Sequence, residues 1–214
     1  ILRNIFDDVT TLLDAAAVAR ERMRMQLIST GTIVMANNGQ EYSYDYGMGE
    51  DQKFEAPTKW NAEGADPLAD VIAMQDVIEN KGYARPRRAI TSRAVVRALM
   101  KNAGIKEAIY VMSNGKVTLT EANVLAYFRE NANLSIAVYD KSYLDENGVA
   151  QRYIPEDLFI LIPEGQLGNT WFGMTPEERT LIGRPEADVS IVDGGVAVSV
   201  TVTDDPVHTK TTVS

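Results

Sequence analysis

The 214-residue sequence predicts an α+β fold with mainly antiparallel sheets. Two glycine-containing turns are predicted, at Asn38-Gly39 and at Asp193-Gly194-Gly195. Each lies between two segments that are apolar or that alternate between apolar and polar residues, a pattern typical of a β-hairpin. Four segments with helical periodicity begin at polar residues that can cap a helix. These helices and strands do not alternate as regular βαβ units, so a doubly wound parallel sheet is not expected.

The N-terminal segment is predicted to form a helix followed by a long hairpin. Asp7 can cap a helix that extends to about Leu27, because apolar residues recur there at helical spacing. The hairpin strands are predicted at Thr30–Ala36 and Glu41–Tyr46. Side chains alternate along a strand, so three tyrosines share one face of the second strand and three polar residues share the other. The tyrosines are Tyr42, Tyr44 and Tyr46, and the polar residues are Glu41, Ser43 and Asp45.

A polar loop and a well-marked helix are predicted next. Residues 47–64 are rich in turn-forming residues, with Phe54 and Trp60 as isolated aromatics. Asp66 followed by Pro67 predicts the N-terminus of a helix, since aspartate caps well and proline is tolerated at the first helical position. Gly82 can end this helix.

The central segment is predicted to contain short strands and two capped helices. Arg87–Thr91 is predicted to be a strand, and Ser92 to cap a helix that ends near Gly104. Ile109–Met112 is predicted to be a strand leading to a turn, and Thr120 to cap the next helix.

The remainder of the chain is predicted to be strands joined by turns. Asp157–Ile162 is continuously apolar after its first residue, which predicts a strand buried on both faces. The other predicted elements are a strand at Leu134–Tyr139, a hairpin turn at Asp145–Gly148, and two strands at Asp188–Val192 and Val196–Thr203.

The composition gives no support to catalysis. The absence of cysteine excludes disulfides and thiolate metal sites, and fits an intracellular assembly. The single histidine, His208, lies in a polar C-terminal tail, where we expect it to be solvated. The net charge of −9 argues against a general nucleic-acid binder, although not against a wall that encloses nucleic acid. We therefore predict no catalytic residue, no metal and no cofactor.

Four patterns superficially resemble ligand sites. Adjacent acids such as Glu177-Glu178 point in different directions, so they are poor chelating pairs. Asp140–Asn147 has the composition of a calcium loop but lacks the required glycine and final glutamate. Gly165–Gly168 follows a Pro-Glu turn and does not lead into a capped helix. The basic cluster Arg85–Arg88 is expected to be a surface patch or a partner for acids of neighbouring chains, with phosphate binding as the alternative.

The long hairpin has no obvious core to pack on. An isolated pair of strands is marginally stable in water, and its open edges favour pairing with other chains. We expect another chain to cover the tyrosine face, and the sequence leaves open the alternative that the chain covers these rings itself.

Four stretches occur in a recognisable order: Arg20–Leu27 with Gly31–Ile33, Trp60 with Asp66–Ile72, Pro86–Lys101, and Ile162–Thr170 with Gly173–Glu177. This order resembles the major capsid protein E family of tailed phages, a lambda-like branch of the tailed-phage capsid fold. The four stretches extend over most of the chain, and their order makes the resemblance specific.

The resemblance implies a tailed-phage capsid fold with a peripheral domain, an axial domain and an extended loop hairpin. Residues 1–27 would form an N-terminal helix, and residues 28–60 the extended loop, which would lie across a neighbouring subunit. The peripheral domain would comprise residues 61–112 and 186–214, and the axial domain residues 113–185. The subunit interface is expected to include Tyr42, Tyr44, Tyr46, Phe54 and Trp60.

The function implied by the resemblance is that of a structural major capsid, or head, protein of a phage or prophage. Such a protein self-assembles into an icosahedral shell around double-stranded DNA, which it encloses without reading its sequence. The implied partners are other copies of the chain, a scaffold or maturation protease, a portal and decoration proteins, with no membrane. The implied location is the virion, after assembly in the bacterial host cytoplasm.

Two alternative functions stay open at this point. An encapsulin-like compartment would have a hydrophobic pocket for a cargo peptide. A small carboxylate-dependent hydrolase would have two acids converging in a cleft with shifted pKa values. The sequence begins at Ile1 without methionine, and we expect both ends to be artificial cuts.

Overall fold

The computed structural model describes residues 2–37, 40–112, 118–145, 147–171, 173–174, 187–192, 196–204 and 207–213. The helices in these residues are α1 (Leu2–Thr30), α2 (Pro67–Asn80), α3 (Arg93–Lys101), α4 (Ala103–Met112) and α5 (Glu121–Ala132). The strands are β1 (Thr32–Asn37), β2 (Gln40–Asp45), β3 (Arg88–Thr91), β4 (Ser135–Val138), β5 (Ser142–Leu144), β6 (Ala150–Arg152), β7 (Phe159–Ile162), β8 (Ala187–Val192), β9 (Val196–Asp204) and β10 (Val207–Val213). The predicted α+β class is confirmed.

The chain divides into two compact units. One unit comprises Ile1–Glu21 and Gly168–Ser214, and the other comprises Arg22–Leu167. The boundaries of these units differ from those predicted for the N-terminal helix, the extended loop, the peripheral domain and the axial domain. That four-part layout stays a prediction. None of the described helices is both long and apolar enough to cross a lipid bilayer.

The C-terminal strands of the first unit form an antiparallel sheet in the order β10-β9-β8. The two predicted strands correspond to β8 and β9, and the turn predicted at residues 193–195 lies outside the described residues. The tail predicted around His208 is instead β10, in which His208 pairs with Thr203. His208 thus lies in a paired strand, and its expected solvation stays a prediction. Thr209, Thr211 and Thr212 are β-branched and favour a strand, a signal that their polarity obscured.

The second unit is built around a three-stranded mixed sheet. β3 is its central strand, parallel to β4 and antiparallel to β7. Because β3 and β4 are parallel, the chain between them crosses over the sheet, and this crossover contains α3, α4 and α5. The largest buried side chains of the core come from these elements, α2 and the loop before β4: Val71, Leu99, Val124, Phe128 and Leu134.

The three helix caps of this unit are confirmed. The Asp66 carboxylate accepts a hydrogen bond of 3.1 Å from the Ala69 amide at the start of α2. Ser92 Oγ accepts one of 3.2 Å from Val95 at the start of α3. Thr120 likewise accepts from the Asn123 amide at the start of α5.

The first helix is longer than predicted. α1 begins at Leu2 rather than at Asp7, and ends at Thr30 rather than near Leu27. The apolar spacing continues upstream through Ile5, so the helical period does not require a cap at Asp7.

The predicted strand at Ile109–Met112 is wrong, because these residues belong to helix α4. Asn102 provides the cap, since its Oδ1 accepts a hydrogen bond of 3.0 Å from the Ile105 amide. Ile105 and Ile109, four residues apart, are both buried on the same side of the helix. The turn predicted after Met112 lies outside the described residues.

The hairpin turn predicted at Asp145–Gly148 is confirmed by the antiparallel pairing of β5 with β6. The strand predicted at Asp157–Ile162 is shorter, beginning at Phe159. It lies at the edge of its sheet and is mostly half-buried, so the prediction of burial on both faces is wrong.

Candidate functional site

The hairpin formed by β1 and β2 is anchored at its base to the end of α1. Gly31 leaves the helix with a φ of 74°, a left-handed conformation that suits glycine. The carbonyl of Gly31 accepts a hydrogen bond of 2.9 Å from the Tyr46 amide. The Gln26 side chain of α1 also accepts one of 3.2 Å from the Val34 amide. The direction of the hairpin is therefore fixed by α1 rather than by the core.

The register of the hairpin defines an apolar face. Ile33 lies opposite Tyr44, and Met35 lies opposite Tyr42. Directly opposed residues of an antiparallel pair point to the same side of the ribbon. We call these four residues the apolar face; Tyr46 follows it immediately after the end of β2.

The tyrosines of this hairpin are exposed. Tyr42, Tyr44 and Tyr46 retain 46, 53 and 66% of their accessible surface. The Tyr42 hydroxyl donates only to the exposed Gln40 side chain, at 2.8 Å. Among the described elements, β1 and β2 make extensive contacts only with each other. Within the described residues these rings are exposed, and their coverage by another chain rather than by this one stays a prediction.

The two other aromatics predicted at the interface lie in different surroundings. Phe54 is 46% exposed in the loop that follows the hairpin. Trp60 is half-buried, and its ring meets that of Phe159 edge to face, with centroids 5.2 Å apart. Although it stands alone in a polar stretch of sequence, Trp60 packs against the core of its own chain. Its part in an interface stays a prediction.

The opposite side of the hairpin is the acidic face, defined by Glu41, Ser43 and Asp45. All three residues are exposed. Asp45 also supports the following turn, since its Oδ1 accepts a hydrogen bond of 2.8 Å from the Gly47 amide. The hairpin thus has one apolar face and one mixed face, on which the two acids of β2 lie beside Thr32, Val34 and Ala36 of β1. Sequence reasoning found the tyrosines and the acids but missed Ile33 and Met35, although the short turn at residues 38–39 was the signal that sets their register.

The arginines of the predicted basic cluster Arg85–Arg88 make contacts within their own chain. Arg85 forms ion pairs of 2.6 and 2.7 Å with Asp76 and Glu79 of α2. Hydrogen bonds first to Glu79 and then to Asp76 raise the pKa of the Arg85 guanidinium. Arg88 Nη2 donates to the carbonyls of Pro163 and Gly165, at 2.6 and 2.8 Å. The cluster therefore orders its own surroundings, and phosphate binding finds no support in these contacts.

The calcium-like segment is a turn held by one carboxylate. Asp145 accepts hydrogen bonds from the Asn147 and Val149 amides, at 2.9 and 2.8 Å, and from the Gln151 side chain. The Val149 amide and then the Gln151 side chain lower the pKa of the Asp145 carboxyl. Its oxygens are thus used to close the β5–β6 hairpin.

A cavity of about 300 Å³ opens where α2 and α4 begin. It is lined by residues 62, 64–67, 102–105 and 127, among which the sole carboxylate is that of Asp66. That group caps α2. Burial and then the charge of Asp66 raise the pKa of the Tyr127 hydroxyl. The pair of converging acids expected of a hydrolase is not found in this cavity, and no group of three histidines or acids in the described residues could hold a metal ion.

The fold carries a hairpin whose apolar face is exposed among the described residues. Residues 1–186 match the family described as phage major capsid protein E. The chain belongs to this family, so the resemblance predicted from sequence is confirmed. Membership implies a structural role rather than an enzymatic one.

Two solved structures have a similar fold. The first is a protein assigned as the capsid protein of a prophage of E. coli CFT073, with 17% identity and a TM-score of 0.70 over 99% of this chain and 62% of that one. The second is a phage-related protein from Bordetella bronchiseptica RB50, with 14% identity and a TM-score of 0.53 over 96% of this chain and 61% of that one. The chain thus spans a little under two thirds of each. No curated protein matches the chain.

Proposed function

We propose that this chain is the shell-forming subunit of a phage or prophage head, which assembles with copies of itself into an icosahedral shell around double-stranded DNA. The observation that carries the proposal is the uncovered apolar face of the β1–β2 hairpin. A hairpin of this kind is marginally stable alone, and burying the apolar face on a neighbouring subunit would stabilise it.

The size of this contact suits a repeated assembly rather than an isolated dimer. Covering the exposed parts of Tyr42, Tyr44 and Tyr46 would bury on the order of 300 Å², at about 100 Å² per ring. At 25 cal/mol/Å² this contributes roughly 7 kcal/mol, similar to the entropy lost when two proteins associate. The free energy of association through one contact is therefore close to zero. In a closed shell every subunit makes the contact twice, once through its own hairpin and once through the surface that binds a neighbour's hairpin, so the contacts together stabilise the shell.

The charge of the chain suits a container. A net charge of −9 repels DNA phosphates, so packed DNA would not adhere strongly to the wall. The proposal includes a scaffold or maturation protease, a portal and decoration proteins as partners, assembly in the host cytoplasm and a final location in the virion. It also retains the layout of an extended loop at residues 28–60, a peripheral domain at 61–112 and 186–214, and an axial domain at 113–185.

Electron microscopy of the full-length protein, produced together with the other head proteins of its phage, tests the proposal. We expect closed particles that contain DNA. Particles that hold protein cargo and no DNA would favour the encapsulin-like alternative, and the absence of particles would contradict shell formation.

Tyr44→Asp tests the contact itself. We expect a folded protein that no longer forms shells, because a charge would be buried on the neighbour. Tyr83→Asp is the matched control, since Tyr83 is 68% exposed and lies outside the hairpin. Light scattering or native mass spectrometry separates the outcomes, and normal shells from Tyr44→Asp would contradict the proposed interface.

A further inference from the structure

The exposed side of helix α3 presents a row of three cations. Arg93, Arg97 and Lys101 follow one another at intervals of four residues, so they lie along one side of the helix. The other side is buried in the core through Val95, Val96 and Leu99. We call these three residues the basic row.

The basic row has few partners among the residues that the structure describes. No ion pair of Arg97 or Lys101 is found within the described residues, and both side chains are exposed. Arg93 approaches Asp140 at 3.7 Å, but Asp140 is already held by Arg152 at 2.7 Å. In a chain with a net charge of −9, the row is a local positive patch on a rigid element.

The acidic face of the hairpin matches this row in charge and in length. Glu41 and Asp45 are four residues apart on a strand, which places them about 13 Å apart. Arg93 and Lys101 are eight residues apart on a helix, a rise of about 12 Å. When Glu41 is aligned with Lys101, and Asp45 with Arg93, the middle residues Ser43 and Arg97 coincide.

We propose that the acidic face of one subunit's hairpin docks on the basic row of a neighbouring subunit. This pairing rests on the proposed function, because it requires subunits packed in a shell. The two faces of a ribbon point in opposite directions, so the apolar face contacts a different subunit surface. Each hairpin is thereby held between two neighbours, one contact being apolar and the other electrostatic.

Enclosed DNA is the competing occupant of the basic row. The hairpin is favoured because it supplies a matched set of acids on every subunit, so each row has one partner. DNA would have to approach three cations on a chain whose overall charge repels it.

Charge reversal tests the pairing. In the full-length protein, produced with the other head proteins of its phage, Arg97→Glu with Lys101→Glu should reduce the yield of shells by roughly tenfold or more, since like charges would face each other. Adding Glu41→Lys and Ser43→Lys should restore the yield while leaving Asp45 to hold its turn. Arg129→Glu, the same change on the exposed part of α5, should leave the yield unchanged.

Cysteine cross-linking tests the same pairing if the charge-reversal variants do not fold. Residues 1–214 contain no cysteine, so Ser43→Cys with Arg97→Cys introduces the only two thiols of this segment. A short bis-maleimide should join these positions between subunits of assembled shells, giving a ladder of covalent multimers on a denaturing gel. Ser43→Cys with Arg129→Cys should give no ladder.

Each other result overturns the pairing. Normal shells from the Arg97/Lys101 variant, or no rescue by the hairpin reversal, would show that the row is not the docking site. Normal shells that have lost DNA would assign the row to DNA instead. If the wild-type protein forms no shells, the proposed function fails as well, whereas failure of the reversal alone leaves that function intact.

Discussion

The indole Nε1 of Trp60 donates a hydrogen bond of 2.9 Å to Oδ2 of Asp70. Trp60 lies in the loop after the hairpin, and Asp70 lies in the first turn of α2. Together with the edge-to-face contact between Trp60 and Phe159, this bond ties the return of the hairpin loop to the core.

Replacing Trp60 tests this connection. Trp60→Phe keeps an aromatic ring but removes the donor, so we expect the free energy of unfolding to fall by about 1 kcal/mol. Trp60→Ala also removes the packing and should cost roughly 3 kcal/mol. Urea denaturation followed by circular dichroism measures both. Asp70→Asn keeps an acceptor and serves as the control; equal losses for Phe and Ala would contradict a separate role for the ring.

The cap of α2 can be measured through Asp66. Asp66→Ala removes the acceptor for the Ala69 amide and should lower the free energy of unfolding by about 1 kcal/mol. Asp66→Asn retains an acceptor and should lose less than half of that amount. Thermal melting distinguishes the two variants, and an unchanged curve for Asp66→Ala would count against this start of the helix.

The base of the hairpin depends on Gly31. Gly31→Ala places a Cβ against Cβ of Met48 in a left-handed conformation. Gly47→Ala imposes a similar backbone strain, with φ at 73°, but its Cβ meets nothing within 4 Å. We expect Gly47→Ala to cost about 1 kcal/mol and Gly31→Ala to cost more, with the difference due to the collision. Chemical denaturation of the two variants provides the comparison; equal costs would show that Met48 moves aside freely.

A buried amide joins the end of α5 to the segment before β3. The Nε2 of Gln75 donates to the carbonyls of Pro86 and Ala132, at 2.7 and 3.1 Å, and its side chain is fully buried. Gln75→Met conserves most of the volume but leaves two buried carbonyls without this donor, so we expect a loss of about 2–4 kcal/mol. Gln151→Met, which removes an exposed hydrogen bond to Asp145 instead of buried ones, is the control and should cost less. A loss below 1 kcal/mol for Gln75→Met would indicate that water replaces the amide.

The elements predicted correctly are those in which local signals agree. Asp66, Ser92 and Thr120 each precede an apolar helical pattern, and each caps a helix. The Asn38-Gly39 signal predicted the β1–β2 pairing in the same way, and that pairing is observed, although residues 38–39 themselves lie outside the described residues.

The errors arise where local signals conflict or are weak. The segment Ile109–Met112 contains β-branched residues and favours a strand, but burial of Ile105 and Ile109 on one side of a helix outweighs that propensity. The contacts of Trp60 depend on Asp70 and on the much later Phe159, which no local pattern connects to it. The basic row could have been predicted, since its four-residue spacing is visible in the sequence. That its side chains are exposed could be seen only in the folded structure.

The central position of β3 has a consequence for biosynthesis. Every pairing contact of the hairpin is local, so it can form as soon as Asp45 has left the ribosome. β3, by contrast, lacks its second partner until Ile162 emerges, about 120 residues later, which is on the order of ten seconds of translation. During that interval the nascent chain already displays its tyrosines while its interior is unfinished. Under the proposed function, nascent copies on one messenger RNA would be exposed to premature association, and we expect a chaperone or scaffold that shields residues 32–46 during synthesis to raise the yield of usable subunits.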